Sequence, residues 1–193
     1  MIPFVEECRG VVSVQLYQAR RCKAIVDYVK GLREWNSAGV YLEAGPGQYQ
    51  SVVRPDTRTA SILTSAHQGK AFRLFDEKVN KTIKPLIRQI WQVDLTEHSG
   101  TQILRYPPGG HYVPHQDAGR DLLNRYFTLL CYLNDDFEGG QTWFPPLNYA
   151  VVPRTGKAIL FPARYHHAAR PVVRGEKFVI LTWINGPVPI HWI

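Results

Sequence analysis

Cysteine is scarce in this chain of 193 residues, which has three cysteines and no Cys-x-x-Cys pair. An odd, unpaired set argues against a disulfide framework and predicts reduced thiols, as in a cytoplasmic protein. Long uncharged apolar runs are also missing, which excludes a membrane-spanning helix. The first ten residues contain two glutamates where a secretory signal needs basic and then apolar residues. We therefore expect a cytoplasmic protein with no membrane partner.

Acidic residues are the minority among the charged ones, with 16 against 23 basic residues and a net charge of +7. Such an excess can indicate a nucleic-acid partner. Here it is spread along the chain without a basic tail, and its only concentration lies between Arg154 and Lys177. This distribution is typical of a solvated surface, and no nucleic-acid partner is expected.

A hydrophobic content of 45% excludes disorder, and the length suits one domain over residues 1–193. Residues 1–100 contain two apolar patterns with helical spacing, at 22–32 and 72–90, separated by segments typical of short strands and turns. Pro85 lies inside the second pattern, which predicts a kinked helix or two separate pieces. We expect this half to supply supporting helices and segments at the entrance to a site.

After residue 100 the pattern changes to short apolar runs separated by turn residues. Eight strand-sized runs within about 85 residues predict a β-sandwich or barrel. The runs YFTLLCYLN and KFVILTWI are continuously apolar, so both of their faces need cover. The predicted fold is therefore mainly β, with the helices packed on one outer face.

His115 and Asp117 are two residues apart, so an extended strand would direct both side chains to one face. About fifty residues further on, His166 and His167 begin another strand-sized run. Neighbouring residues on a strand point to opposite faces, so only one of these histidines can join the first pair. Two histidines and one carboxylate on one face of a metal are the ligand set of non-haem Fe(II) oxygenases.

Lys177 opens the last strand-sized run, where alternation places it on the same face as Trp183 and opposite Phe178. A lysine directed into an apolar interior is costly without an anionic partner. The alternative is a solvated lysine in the turn formed with Gly175 and Glu176. The residues alone leave both interpretations open.

The stretch from Thr101 to Gly186 resembles the prolyl 4-hydroxylase-like branch of the 2-oxoglutarate and Fe(II)-dependent dioxygenases. The matching segments are ILRYPPGGHYVPHQD, RYFTLLCYLNDDFEGGQTWFP, VVPRTGKAILFP and HHAARPVVRGEKFVILTWI, in family order and with family spacing. The resemblance implies a double-stranded β-helix, or jelly-roll barrel, over residues 101–186, with the N-terminal helices packed on one sheet.

The resemblance also implies functions for individual residues. It implies that His115, Asp117 and His167 are the metal ligands at the catalytic centre. His115 and Asp117 match the first two ligand positions of the family, and His167 matches the third because HAARPVVRGEK corresponds to the family's His-x-x-x-Pro-Val-x-x-Gly-x-Lys run. Other family positions would bind 2-oxoglutarate or shape the substrate pocket: Lys177, Tyr106 and Tyr132 in the first group, Tyr112 and Trp183 in the second. The implied cofactors are Fe(II), the co-substrate 2-oxoglutarate, dioxygen and ascorbate as a reductant.

Some positions depart from the family pattern, namely Gln141, Ala169 and Phe178. None of these differences removes a metal ligand, so hydroxylation is still expected. They leave the identity of the substrate undetermined. Asp117 favours hydroxylation over halogenation, which would need a small residue there. The substrate is a prolyl peptide or, alternatively, a free amino acid or small biosynthetic intermediate. Remoter alternatives are nucleic-acid dealkylation and a catalytically silent metal-binding barrel. The oligomeric state and the function of Arg164, Arg170 and Arg174 stay open.

Overall fold

The computed structural model describes residues 1–45, 48–64, 69–119 and 122–187. Its first half combines short strands with helices, in the order β1 (Val5–Cys8), β2 (Val11–Gln15), α1 (Ala19–Lys30), β3 (Asn36–Ser37), β4 (Val40–Gly45), β5 (Gln48–Val52), β6 (Arg58–Thr59), β7 (Ser61–Thr64), α2 (Lys70–Lys78) and α3 (Lys84–Trp91). Its second half consists of strands, in the order β8 (Glu97–Tyr106), β9 (His111–His115), β10 (Arg125–Tyr132), β11 (Glu138–Gly139), β12 (Thr142–Phe144), β13 (Tyr149–Ala150), β14 (Lys157–Pro162), β15 (His167–Ala169), β16 (Val172–Arg174) and β17 (Lys177–Asn185).

Eight antiparallel strands form the larger sheet, in the order β1-β2-β14-β10-β17-β8-β7-β3. The apolar strands β10 and β17 lie next to each other near its middle, with Thr128 opposite Trp183. Central strands covered on both faces need apolar residues throughout, which explains why these two runs are continuously hydrophobic. The hairpin of β1 and β2, which the sequence did not predict, extends this sheet by pairing with β14.

The smaller sheet has five strands in the order β13-β12-β15-β9-β6 and faces the larger one. Two-stranded sheets of β11 with β16 and of β4 with β5 complete the fold. The arrangement is consistent with a jelly-roll core, but within the described ranges no strand of one large sheet pairs with a strand of the other. The predicted jelly-roll barrel is therefore corrected to two facing sheets, because the edge strands, β1 and β3 of one sheet and β13 and β6 of the other, pair only within their own sheet.

Two apolar layers lie on opposite sides of the larger sheet. Phe127, Leu129 and Cys131 face the helices, and Leu130 and Tyr132 face the smaller sheet. This alternation follows from the period of two residues along a strand. It leaves the helices on the outer face and places one row of side chains from β10 and β17 in the space between the sheets.

The helical segment with Pro85 consists of two pieces, as predicted. Helix α2 ends at Lys78, a π-helical turn covers Val79–Ile83, and α3 begins at Lys84. Proline cannot donate a backbone hydrogen bond, and its ring crowds the carbonyl four residues earlier, so the wider turn accommodates it. No helix among the described residues is long and apolar enough to cross a membrane.

Candidate active site

His115, Asp117 and His167 lie together between the two sheets. Strands β9 and β15 are antiparallel neighbours, and their register places His115 opposite His167. The Asp117 carboxylate lies between the two rings, with Oδ1 3.5 Å from His115 Nε2 and Oδ2 3.4 Å from His167 Nε2. One nitrogen or oxygen atom from each residue lies within 4.8 Å of the other two. His167 is buried and His166 is exposed, which decides between the two neighbouring histidines.

Asp117 reaches this position from just beyond the strand. Strand β9 ends at His115, and the chain bends so that the backbone N–H of Asp117 donates to the carbonyl of Ala163 at 2.9 Å. The sequence had placed both side chains on one extended strand. The side chains of His115 and Asp117 converge because the hydrogen bond to the carbonyl of Ala163 fixes the bend that follows strand β9.

Backbone carbonyls orient both imidazole rings. Nδ1 of His115 is 2.9 Å from the carbonyl oxygen of Val113, and Nδ1 of His167 is 2.9 Å from that of Tyr165. A carbonyl can only accept a hydrogen bond, so each Nδ1 carries a proton and Nε2 is the nitrogen of each ring that faces Asp117. Burial lowers the pKa of His167 to about 4, which keeps this ring neutral at pH 7. Both rings therefore present a nitrogen suited to a metal ion.

The Asp117 carboxylate is held in its ionised form. Burial opposes ionisation, but the carboxyl titrates at a pH low enough for the His167 ring to be protonated. That charge, the interaction with His115 and the Thr128 hydroxyl together hold the pKa of the carboxyl well below its usual range. Thr128 donates to Oδ2 at 2.7 Å. Two imidazole nitrogens and one ionised carboxylate that converge in a buried space fit a divalent cation such as Fe(II). Phe144 and Phe161 pack near the His167 ring and add an apolar wall.

Lys177 is buried, with 1% of its surface exposed, so the alternative of a solvated turn residue is wrong. Its ammonium donates to the carbonyl of Gly140 at 2.7 Å and lies 5.0 Å and 5.5 Å from the ring centroids of Tyr106 and Tyr132. Burial lowers the pKa of Lys177 to about 7. A lysine that gains an anionic ligand here would recover its charge, so the position suits a carboxylate.

The two tyrosines that flank Lys177 differ in their own partners. The Tyr132 hydroxyl donates to the Thr142 hydroxyl at 2.7 Å. The Tyr106 hydroxyl interacts with Arg58, which partly offsets the increase in the pKa of Tyr106 caused by burial. The structure therefore brings the three predicted co-substrate residues together, and their function stays a prediction.

The two predicted substrate-pocket residues lie close to the metal ligands. The Tyr112 ring stacks on His115, and the Arg58 guanidinium lies 4.7 Å from the centroid of the Tyr112 ring. The Arg125 guanidinium lies 3.6 Å from the centroid of a ring of Trp183. Both positions are compatible with the pocket function that the resemblance implies.

Sequence reasoning missed Thr128, Arg125 and Arg58. Alternation along β10 did place Thr128 on the inner face, and that signal could have suggested a partner for Asp117. Arg125 donates from Nη1 to the backbone carbonyl of Asp117 at 3.1 Å. Arg58 reaches the site because β6 pairs with β9, and a two-residue strand has no periodicity that would predict the pairing.

Comparisons with known proteins agree with this geometry. A family model described as the 2OG-Fe(II) oxygenase superfamily matches residues 101–185. Prolyl 4-hydroxylase 1 of Arabidopsis thaliana is 29% identical over 161 residues, covering 69% of this chain and 55% of the relative. Prolyl 4-hydroxylase subunit alpha-1 of Gallus gallus is 33% identical over 146 residues, covering 64% of this chain and 28% of the relative. The chain thus spans about half or less of the length of these relatives.

Among solved structures, a Pseudomonas putida prolyl-4-hydroxylase has the same fold, with a TM-score of 0.73 at 21% identity over 92% of this chain and 93% of that one. The family match over residues 101–185 and the His-Asp-His cluster support an assignment to the 2OG-Fe(II) oxygenase superfamily, and the chain is similar to prolyl 4-hydroxylases within it. Fe(II) and 2-oxoglutarate are the metal and co-substrate of this superfamily.

Proposed function

We propose that the protein is a 2-oxoglutarate- and Fe(II)-dependent hydroxylase that acts on a prolyl residue of a peptide. The observation that carries the proposal is the convergence of His115, Asp117 and His167 in the same inner space as the buried cation Lys177. The names of the curated relatives support the prolyl substrate. A free amino acid or a small biosynthetic intermediate is the alternative substrate.

The metal and the co-substrate would be held by different walls of the space. His115, Asp117 and His167 would bind Fe(II) through two nitrogens and one oxygen, which leaves other coordination positions open. Bound Fe(II), with 2-oxoglutarate and dioxygen, supplies the oxidising chemistry that yields succinate, carbon dioxide and a hydroxylated substrate. Lys177 would bind the far carboxylate of 2-oxoglutarate.

Other residues of the site exclude water from the Lys177 ammonium and orient the imidazole rings. Tyr106 and Tyr132 place aromatic surface around the Lys177 ammonium, so that a bound carboxylate meets a dry, positively charged end of the space. Val113 and Tyr165 hold the proton on Nδ1 of each histidine through their backbone carbonyls. The site is thus arranged to bind the metal without a change of histidine tautomer.

The proposal is tested with the purified protein, Fe(II), 2-oxoglutarate, ascorbate and dioxygen. Proline-containing peptides, free amino acids and small metabolites are compared as stimulants of succinate formation, and products are checked by mass spectrometry for one added oxygen atom. We expect a proline peptide to give both signals, and His115→Ala to lose them together with Fe(II) binding. Fe(II) binding and 2-oxoglutarate turnover that survive in His115→Ala would contradict the metal-site assignment.

Two further expectations belong to the same proposal. We propose a cytoplasmic location, supported by three free cysteines, of which Cys22 and Cys131 are buried. Cell fractionation tests it. We also propose that residues 1–193 form a single domain, supported by the packing of the helices on the larger sheet. A single cooperative unfolding transition and resistance to limited proteolysis would support the single domain.

A further inference from the structure

The substrate side of the site contains two arginines without a carboxylate partner. Among the described side chains, four arginines form ion pairs with a carboxylate: Arg54, Arg88, Arg105 and Arg174. Arg58 and Arg125 form none of these pairs, although both are partly buried beside the metal ligands. We propose that the substrate carries a carboxylate close to the carbon that is hydroxylated, and that Arg125 and Arg58 bind this group. The inference rests on the proposed hydroxylase function.

Arg125 lies at the start of β10, and its guanidinium carbon Cζ lies over Trp183, 3.6 Å from a ring centroid. One of its nitrogens donates to the backbone carbonyl of Asp117 at 3.1 Å. A guanidinium has five N–H donors, so this bond and the stack leave donors for another acceptor. The planar fork of an arginine matches the two oxygens of a carboxylate.

Arg58 approaches from the other side, on β6 opposite Tyr112 of β9. Its Nη1 donates to the carbonyl of Gly39 at 3.0 Å, and its guanidinium covers the Tyr112 ring. Its Nε is buried and has no hydrogen-bond partner. A buried donor without an acceptor is costly, so this N–H points to a missing ligand atom.

Tyr112 connects the two arginines. Burial raises the pKa of Tyr112 to about 12, and the positive charges of Arg58 and Arg125 both oppose that increase. Both guanidinium groups are therefore close enough to influence the same hydroxyl, on a ring that stacks on the metal ligand His115. Trp183 Nε1 is another buried donor without a partner. The buried atoms without a partner on Arg58 and Trp183 are both donors, which favours an anionic ligand.

The balance of charge around the site leads to the same conclusion. The charges of Fe(II) and Lys177 are matched by Asp117 and by the two carboxylates of 2-oxoglutarate. Arg125 then shares the charge of Asp117 with the metal, and Arg58 forms no ion pair with a carboxylate of the described residues. Charges held away from water are costly unless they are paired. A carboxylate on the substrate would supply the pairing, from a glutamate or aspartate beside the proline of a peptide or from the α-carboxylate of a free amino acid.

Matched substrates test the proposal and separate its two sources. Peptides with one proline are compared with Glu or Gln as the neighbouring residue, and free proline is compared with prolinamide. Binding is measured by calorimetry under anaerobic conditions with Fe(II) and 2-oxoglutarate present, and kcat/KM is measured as succinate formed with dioxygen. We expect the acid to exceed its amide by about tenfold or more in both quantities, because a site built for a polar group rejects an analogue that lacks it.

Variants show whether the arginines cause the preference. Arg125→Gln and Arg58→Gln should each reduce the acid-to-amide ratio toward one, and Arg125→Lys should retain part of it. Arg170→Gln is the matched control, because Arg170 also stacks on a tryptophan, Trp143, but is exposed and makes none of these contacts. Thermal unfolding of each variant confirms folding.

Each outcome decides between the claims. If acids and amides are bound and hydroxylated equally well, or if the preference survives in both glutamine variants, the inference is overturned and the hydroxylase function stands. If succinate never forms, the hydroxylase proposal fails, and the anaerobic binding ratio still tests carboxylate recognition. An acid preference in the free amino acid pair alone would identify the α-carboxylate as the ligand group.

Discussion

The ring of Tyr112 lies against the imidazole of His115, with centroids 3.5 Å apart and 20° between the two planes. The same imidazole is fixed at Nδ1 by the carbonyl of Val113. The stack and the hydrogen bond together leave the ring one orientation, with Nε2 directed at Asp117. A ligand that is already oriented loses less conformational entropy when it binds a metal.

Replacing Tyr112 should therefore weaken metal binding. We expect Tyr112→Ala to raise the Kd for Fe(II) about tenfold, because residues that orient a metal ligand typically contribute that much or more. Tyr112→Phe keeps the stacked ring and should bind Fe(II) like the unmodified protein. Anaerobic calorimetry measures both values. Equal losses in the two variants would show that the hydroxyl, rather than the ring, supports His115.

The hydroxyl of Thr128 should affect Fe(II) binding only through its hydrogen bond to Asp117. Thr128→Val has nearly the same shape but removes the donor to Oδ2, and we expect the Fe(II) Kd to rise about tenfold or more. Thr128→Ser keeps the hydroxyl and serves as the control. If Val and Ser variants bind Fe(II) equally tightly, the hydrogen bond to Asp117 has no part in metal binding.

How far the sequence predicts this site depends on the type of contact. Alternation along β17 has a fixed period, so it placed Lys177 and Trp183 on one face of the strand, but it left open whether Lys177 is buried or solvated. The meeting of His115 with His167 depends on which strands are neighbours, and only the family resemblance supplied that expectation. Arg58 could not be predicted, because its position depends on a two-residue strand that pairs across the fold.

We expect Lys177 to be essential for binding 2-oxoglutarate and to lower the thermal stability of the ligand-free protein. Lys177→Met should raise the Kd for 2-oxoglutarate at least about 30-fold, since loss of one partner of a buried charge pair costs about 2 kcal/mol or more. The same change should raise the Tm of the ligand-free protein, because it removes a buried group that no described carboxylate pairs with. Lys30→Met is a suitable control, because Lys30 lies over Phe178 on the opposite side of the same sheet. An unchanged Kd in Lys177→Met would exclude Lys177 from the co-substrate site.

The affinity for 2-oxoglutarate should depend on pH through the same lysine. Burial lowers the pKa of Lys177 to about 7, so the free protein carries the charge below pH 7 and loses it above. The Kd for 2-oxoglutarate should therefore be lowest below pH 7 and rise above it. Calorimetry between pH 6 and about 9 measures the change, and Lys177→Met should show none of it.

The stability of the ligand-free protein should change with pH in the opposite direction. An unfolded lysine has a pKa of about 10.4, so between pH 7 and about 10 the unfolded state binds more protons at Lys177 than the folded state. The contribution of this group to the free energy of unfolding therefore rises with pH across that window. Urea unfolding of the unmodified protein and of Lys177→Met should differ in slope against pH. Parallel slopes would mean that the folded pKa is not lowered.

Alanine substitutions at Gly100 and Gly109 distinguish the cost of backbone strain from the cost of a steric clash with Trp183. Both have positive φ, +70° and +79°, but a Cβ on Gly100 would lie 2.7 Å from Trp183 Cζ3, and a Cβ on Gly109 would meet nothing within 4 Å. Gly109→Ala should lower the free energy of unfolding by about 1–2 kcal/mol, the cost of a left-handed conformation for an L-residue.

Gly100→Ala has the same backbone cost and adds a clash with Trp183, so it should lose about 1–3 kcal/mol more in urea unfolding. It should also raise the KM of the substrate, because the displaced indole can no longer support the Arg125 guanidinium. Gly109→Ala should leave that KM unchanged. Equal losses of stability in the two variants would mean that the indole moves aside without cost. In that case Trp183 would not hold Arg125 in place, and the substrate contact would depend on the Asp117 carbonyl alone.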